Sequence, residues 1–305
     1  MNYKNYFLLA QKNYSQIGTL VAMAHNKKLL RRRKEHREIY EMINVSNVTV
    51  QVLDARFPQR CRSKTIENFA KSKNRQLICC INKTDLVPHE VAEQWKKIIS
   101  KDFPTVFMSA AGREGTSFLR QQIRRYAPKK EAIVCVLGFP NVGKSSLINV
   151  LKGKKSAPTS PIAGFTRHLR TVRITSTLEL IDTPGIAPNE NLTIEEEVFL
   201  GTISPEAIDN PDIVCSYIFN QFKEQELEQE IEKYLGISID NPIDEILGHF
   251  ARRRGLLSKN AEPRIEQAAR IIIRDFQQSK IHYYEKPPKK AQTTDAEVRS
   301  EKETN

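Results

Sequence analysis

Two short segments carry side chains able to hold a nucleoside triphosphate. Asn82-Lys83-Thr84-Asp85 sets a carboxylate three residues after an amide, and Gly138-Phe139-Pro140-Asn141-Val142-Gly143-Lys144-Ser145-Ser146 follows an apolar run. In the second segment Gly138 and Gly143 let the backbone wrap phosphates with its N–H groups, and a helix expected from Lys144 turns its positive end toward them. Lys144 is expected at the β and γ oxygens and the Ser145 hydroxyl on magnesium, with Asn141, Val142, Gly143 and Ser146 completing the cradle. In the first segment Asp85 can accept from the N1–H and exocyclic N2–H of guanine, whereas adenine would set a lone pair against the charge. The expected ligands are therefore GTP and GDP. Asn82 is assigned to the other edge of the ring, the Lys83 stem to its face, and a backbone N–H at Ala110, after Ser109, to the guanine oxygen.

Farther along, Asp182-Thr183-Pro184-Gly185 ends another apolar run. Asp182 is expected to hold magnesium through water and the Gly185 N–H to touch the γ-phosphate. Thr166, in the loop from Pro161 to Arg167, is the candidate to close on magnesium when the γ-phosphate is present, with Thr171 as the rival. Lys144, Thr166 and Gly185 are thus the candidate catalytic groups.

The order of these segments is inverted, because the base reader precedes the phosphate loop. All the parts are present but rotated in sequence, which implies a circular permutation. The cut places the nucleotide-sensing segment after Gly185 directly before whatever follows the domain.

Apolar runs at Val48 to Leu53, Gln76 to Ile81, Thr105 to Met108 and Ala132 to Leu137 each end at a motif, with helix formers between them. Strands alternating with helices, functional residues at their C-terminal ends, predict a doubly wound parallel sheet with the ligand at its carboxyl edge. Two more strands are expected near Leu169 to Ile174 and Leu178 to Ile181. Past Gly185 the strand pattern stops. Asn210-Pro211 and Asn241-Pro242 read as helix N-caps followed by proline, Gly236 and Gly255 as helix ends, and a terminal helix is expected from about 262 to 280. The predicted fold is an α/β, doubly wound P-loop domain, circularly permuted, followed by a small all-helical domain. The expected boundaries are 1–44 for a basic N-terminal arm and helix, 45–189 for the permuted domain, 190–285 for the helical domain and 286–305 for a disordered tail.

The net charge of +12 is unevenly placed. Residues 1–130 carry +16 and residues 131–189 carry +4, residues 190–250 reverse to −13, and residues 251–305 return to +5. Two basic segments flanking an acidic one favour a polyanionic partner such as RNA. The five cysteines form no CxxC pair and no zinc-like cluster, which points to a reducing, cytoplasmic setting. The first 34 residues lack acidic side chains, a composition shared by organellar presequences, so an organellar matrix is the lesser alternative. No apolar run approaches the roughly 20 residues that span a bilayer, and neither a membrane nor DNA is an expected partner.

Taken in order, NKTD, SA, GFPNVGKSS, GFT and DTPG, preceded by Asp54-Ala55-Arg56-Phe57-Pro58 and Arg62, closely resemble the circularly permuted GTPases that act in large ribosomal subunit assembly. The resemblance is strong over about residues 25–190 and looser over Ala251 to Lys280. It implies GTP hydrolysis to GDP and phosphate, magnesium, and binding to the large ribosomal subunit or its precursor and to rRNA. Asn141 matches the phosphate-loop asparagine that helps similar enzymes bind potassium. Ile186 stands where Ras-type enzymes have a water-orienting glutamine, which implies slow intrinsic hydrolysis raised by potassium, the ribosome or both. Relatives carry a histidine in a segment comparable to Ala22-Met23-Ala24-His25, though in a different setting. GTP-dependent presentation of a basic surface from Lys27 to Arg37 and Arg252 to Lys280 is the expected link to rRNA. The competing reading is a regulatory GTPase switch that binds a protein partner without RNA.

Overall fold

A computed structural model of the chain describes residues 37–109, 112, 114–128, 131–152, 159–161, 170–175, 177–181 and 192–288. Seven strands form one sheet in the order β3-β2-β1-β4-β7-β6-β5. They are β1 (Val48–Asp54), β2 (Gln76–Asn82), β3 (Thr105–Phe107), β4 (Ala132–Gly138), β5 (Thr159–Pro161), β6 (Arg170–Thr175) and β7 (Leu178–Ile181). The β1 sequence VTVQVLD alternates valine with Thr49 and Gln51 over its first five residues, yet both its faces are covered and every one of its residues is buried. β1, β2, β3, β4 and β7 run parallel, while β6 pairs antiparallel with β7 and β5 antiparallel with β6 at one edge. The register of β6 with β7 shifts between Arg173 and Thr175.

Counted from β4, which leads into the phosphate loop, and setting aside the three-residue edge strand β5, β6 and β7 come second and third, and β1, β2 and β3 follow as fourth to sixth. The permutation read from motif order is therefore visible as a cut between the third and fourth strands.

A helix over residues 37–45 (α1) leads into β1. The sheet is further covered by α2 (Lys64–Ser72), α3 (His89–Ile99), α4 (Thr116–Tyr126) and α5 (Lys144–Lys152). The C-terminal part comprises α6 (Ile194–Phe199), α7 (Pro211–Glu224), α8 (Glu228–Leu235), α9 (Ile243–Arg253) and α10 (Ile265–Gln277). Gly236 ends α8 in the left-handed conformation at φ 76°, as its type requires. Asn210 stands at the N-cap of α7, yet its side chain makes no cap hydrogen bond. α9 begins one residue later than expected, with Pro242 in the cap position, and Asn241 donates its amide to the Ser238 carbonyl at 3.0 Å. The terminal helix spans Ile265–Gln277, within the expected 262 to 280, and Leu257 bridges to Pro263 just before its start.

The helices after residue 192 share their core with the sheet domain. Phe199 packs against Phe57 at 5.4 Å between ring centroids and against Phe276 at 5.0 Å. Trp95 on α3 donates its indole N–H to the Glu285 carbonyl at 2.8 Å, and the Glu285 N–H donates to the Arg56 carbonyl at 2.6 Å. Among the described residues no helix is long and apolar enough to cross a membrane.

Candidate nucleotide-binding site

β2, β1 and β4 are neighbours, and their register sets Asp54 beside Asn82 and Val52 beside Gly138. The two motifs, far apart in sequence, therefore leave the same sheet edge on either side of one central strand. Asn82 closes the gap, its amide donating to the Val142 carbonyl of the phosphate loop at 2.7 Å. Gly143 makes that approach possible: a Cβ there would lie 2.1 Å from the Asn82 Nδ2, and its φ of +98° suits glycine. Lys83 adopts φ 63° and turns the chain so that Thr84 to Leu86 form a short 3₁₀ turn. Asp85 is oriented by the Ser109 hydroxyl at 2.6 Å, which in turn accepts the Gly112 N–H at 3.0 Å.

Two cations define the electrostatics of the edge. The Lys83 ammonium lies 2.8 Å from the buried Asp54 carboxylate, which also pairs with Arg56 at 2.9 Å. Burial alone would raise the Asp54 carboxyl, but the Arg56 and Lys83 charges outweigh it and hold the group at about 2. Lys144 is buried and donates to the Gly138 and Phe139 carbonyls at 2.8 and 2.5 Å. Burial pushes its ammonium down to about 8. Ser145 and Ser146 are exposed on the first turn of α5, directly after the loop.

A cleft of about 620 Å³ opens between these groups and the end of α10. Asn82, Lys83, Asp85, Asn141, Gly143 and Ser146 line one side, and Arg274, Gln277, Gln278 and Ser279 the other. A neighbouring cleft of about 550 Å³ shares Asp85 with it and is lined also by Thr84 and Ser109, but holds no phosphate-loop residue. Of the two clefts, the first is the one that the phosphate loop lines.

The helical part also grips the phosphate loop. Asn141, at φ 59°, donates its amide to the Gly201 carbonyl at 2.7 Å. Gln277 donates to the Val198 and Ile203 carbonyls at 2.7 and 3.0 Å and so fixes the same segment to α10. Arg270 and Arg274, read from sequence as basic surface, bind the Pro205 carbonyl and the Glu206 carboxylate. Lys280 pairs with Asp275 at 2.7 Å. Arg252, Arg253 and Arg254 stay exposed at the end of α9.

The structure thus brings Asn82, Lys83, Asp85, Ser109, Asn141, Val142, Gly143, Lys144, Ser145 and Ser146 to one edge. Ala110, Thr166, Asp182, Gly185, Ile186 and His25 lie outside the described residues, as does the arm from Lys27 to His36. Sequence reasoning assigned no role to Asp54 and Arg56 and missed α10 as a wall of the cleft. The signal for the first was an Asp and an Arg flanking the end of a valine-rich strand. Nothing in the α10 sequence signals the second.

An inverted motif order folded onto a single sheet edge, with a base-reading carboxylate and a phosphate loop on one cleft, defines a circularly permuted guanine-nucleotide-binding protein. Comparison with known proteins agrees. A family model described as 50S ribosome-binding GTPase matches residues 133–247. An uncharacterized GTP-binding protein of Methanocaldococcus jannaschii is 35% identical over 255 residues, covering 83% of this chain and 67% of that protein. Nucleolar GTP-binding protein 2 of Schizosaccharomyces pombe is 35% identical over 256 residues, covering 81% of this chain and 47% of its own length. The chain spans about half the length of that fungal relative. The GNP-bound structure of YlqF from T. maritima superposes with a TM-score of 0.62 at 23% identity, covering 81% of this chain and 95% of that one, and so shares the fold. The chain belongs to the family of circularly permuted P-loop GTPases.

Proposed function

We propose that the chain binds GTP, hydrolyses it to GDP and phosphate, and acts in assembly of the large ribosomal subunit, its nucleotide state coupled to binding of the pre-ribosome or its rRNA. One observation carries the nucleotide half: the Asp85 carboxylate and the phosphate loop meet at one cleft although their order in the chain is inverted. The ribosomal half is supported by the description of the matching family and by the names of the fungal relatives.

Guanine enters beside Asp85, held in place by Ser109, while the Lys83 stem, its ammonium tied to Asp54, lies along the ring. The phosphates meet the loop backbone and the positive end of α5. Lys144 leaves the Gly138 and Phe139 carbonyls and turns its ammonium to the β and γ oxygens. Water attacks the γ-phosphorus, the bond to the bridging oxygen breaks, GDP leaves, and the water's proton passes to the released phosphate. Lys144, the Gly185 N–H and Thr166 are the groups proposed to meet the charge that develops in that step.

The exposed Ser145 hydroxyl is a hard oxygen donor suited to magnesium, and Asp182 and Thr166 are its proposed companions. Magnesium, when bound, would supply positive charge to offset that of the phosphates. Potassium is proposed at Asn141, whose amide nitrogen is committed to Gly201, leaving its oxygen for a cation. The work is placed in the cytoplasm.

Sedimentation on ribosome gradients tests the ribosomal half. Co-migration with a large-subunit precursor in a non-hydrolysable GTP analogue, and release in GDP, is the expected result. A free position in both states, together with no salt-sensitive RNA binding, favours a switch that acts on a protein partner.

A further inference from the structure

We propose that the C-terminal end of α10 is part of the nucleotide site, with Gln278 and Ser279 contacting the nucleoside half of the bound ligand. The inference rests on the reading of the cleft as a guanine-nucleotide site. Both residues line that cleft opposite Asn82, Asp85 and Ser146. Among the described residues neither side chain is committed to a hydrogen bond, in contrast to Arg274, which is held by Glu206.

The wall is rigid. Gln277 anchors it through two carbonyls at 2.7 and 3.0 Å, and Arg56 donates to the Phe276 carbonyl at 3.3 Å. A helix end braced in this way does not fray as an unsupported last turn would.

The polarity decides which half of the ligand it meets. The last carbonyls of a helix carry partial negative charge, which repels phosphate and attracts hydrogen-bond donors. A guanine nucleoside offers donors in its ribose hydroxyls and exocyclic amine. The phosphates have their own partner in the opposite kind of terminus, the start of α5. One ligand would then lie between two helix ends of opposite sign, one from the sheet domain and one from the helical part. A bound nucleotide would tie the two parts together by contact, in addition to any switch segment.

The test is the dissociation rate of tritiated GDP from the full chain, comparing wild type with the Gln278→Ala/Ser279→Ala double variant. Release about tenfold faster, with the preference for GDP over ADP and the melting temperature unchanged, is the expected result. Should the double variant melt early, Gln278→Glu at its exposed position replaces it, and added negative charge is expected to speed release likewise. Equal rates in wild type and variant, with guanine preference intact, overturn the role of α10 and leave the nucleotide site standing. A wild type that binds ADP as well as GDP overturns the reading of the cleft and this inference with it.

Discussion

The Lys83 ammonium stands 2.8 Å from the Asp54 carboxylate, and through that contact the base-reading segment is joined to a helix nearly 200 residues away. Asp54 pairs in turn with Arg56, and Arg56 donates to the Phe276 carbonyl on α10. The segment Asp54-Ala55-Arg56 therefore holds Lys83 in its left-handed turn and braces the helix that faces it across the cleft.

Asp54→Asn is expected to lower folding stability by about 3–5 kcal/mol, because it leaves the Arg56 guanidinium buried without its counter-charge. A urea melt read as a shift in midpoint at constant slope checks this. The same pair sets an acid limit. The folded carboxyl sits at about 2, below its ordinary 3.8, so its stabilisation is complete above pH 4 and is lost as pH falls toward 2.

Asp85→Asn is expected to weaken GTP binding about a hundredfold and to favour xanthosine triphosphate, whose C2 carbonyl accepts from the new amide. Calorimetry with both nucleotides decides it. An unchanged preference would remove Asp85 from base recognition.

Lys144 titrates at about 8 when it rests on the loop carbonyls, and phosphate oxygens favour its charged form. Nucleotide binding just above pH 8 is expected to take up a fraction of a proton, seen as a dependence of binding heat on buffer ionisation enthalpy. Lys144→Ala should abolish the uptake. In the free protein the folded value lies below the ordinary 10.5, so stability should rise as pH climbs from 8 toward 10.5.

Gly143→Ala sets a Cβ 2.1 Å from the Asn82 Nδ2 at a φ of +98°. The expected result is a loss of about 1–3 kcal/mol in stability and weaker binding of GDP and GTP alike. Melting and filter binding on one sample check both.

Asn141→Ala removes the tie to the Gly201 carbonyl and the proposed potassium oxygen together. Steady-state hydrolysis in potassium is expected to fall to the rate in sodium. Asn141→Asp, which keeps the oxygen but not the donor, should retain part of the potassium effect.

Much of the site was legible in the sequence because each motif is a short contiguous segment whose chemistry is local. Gly138, Gly143 and Lys144 announce a phosphate loop by type and spacing, and Asp85 announces guanine by its hydrogen-bond pattern. The permuted order followed from counting motifs, and the apolar runs that end at them gave the sheet. The helix start at Asn210 was legible and that at Asn241 was legible to within a residue, but neither asparagine makes the side-chain cap bond its type suggests.

What the sequence by itself determined is the class of fold, the guanine-nucleotide chemistry and the inversion of its parts. Only the tertiary structure decided that Asn82 reaches the Val142 carbonyl, that Asp54 and Arg56 brace Lys83, that Arg270 and Arg274 turn to the segment around Glu206, and that α10 walls the cleft. Local patterns encode which backbone groups a segment exposes and which face it buries. Contacts between residues from 29 to more than 200 positions apart depend on how the elements pack, and a one-dimensional pattern carries no record of that packing.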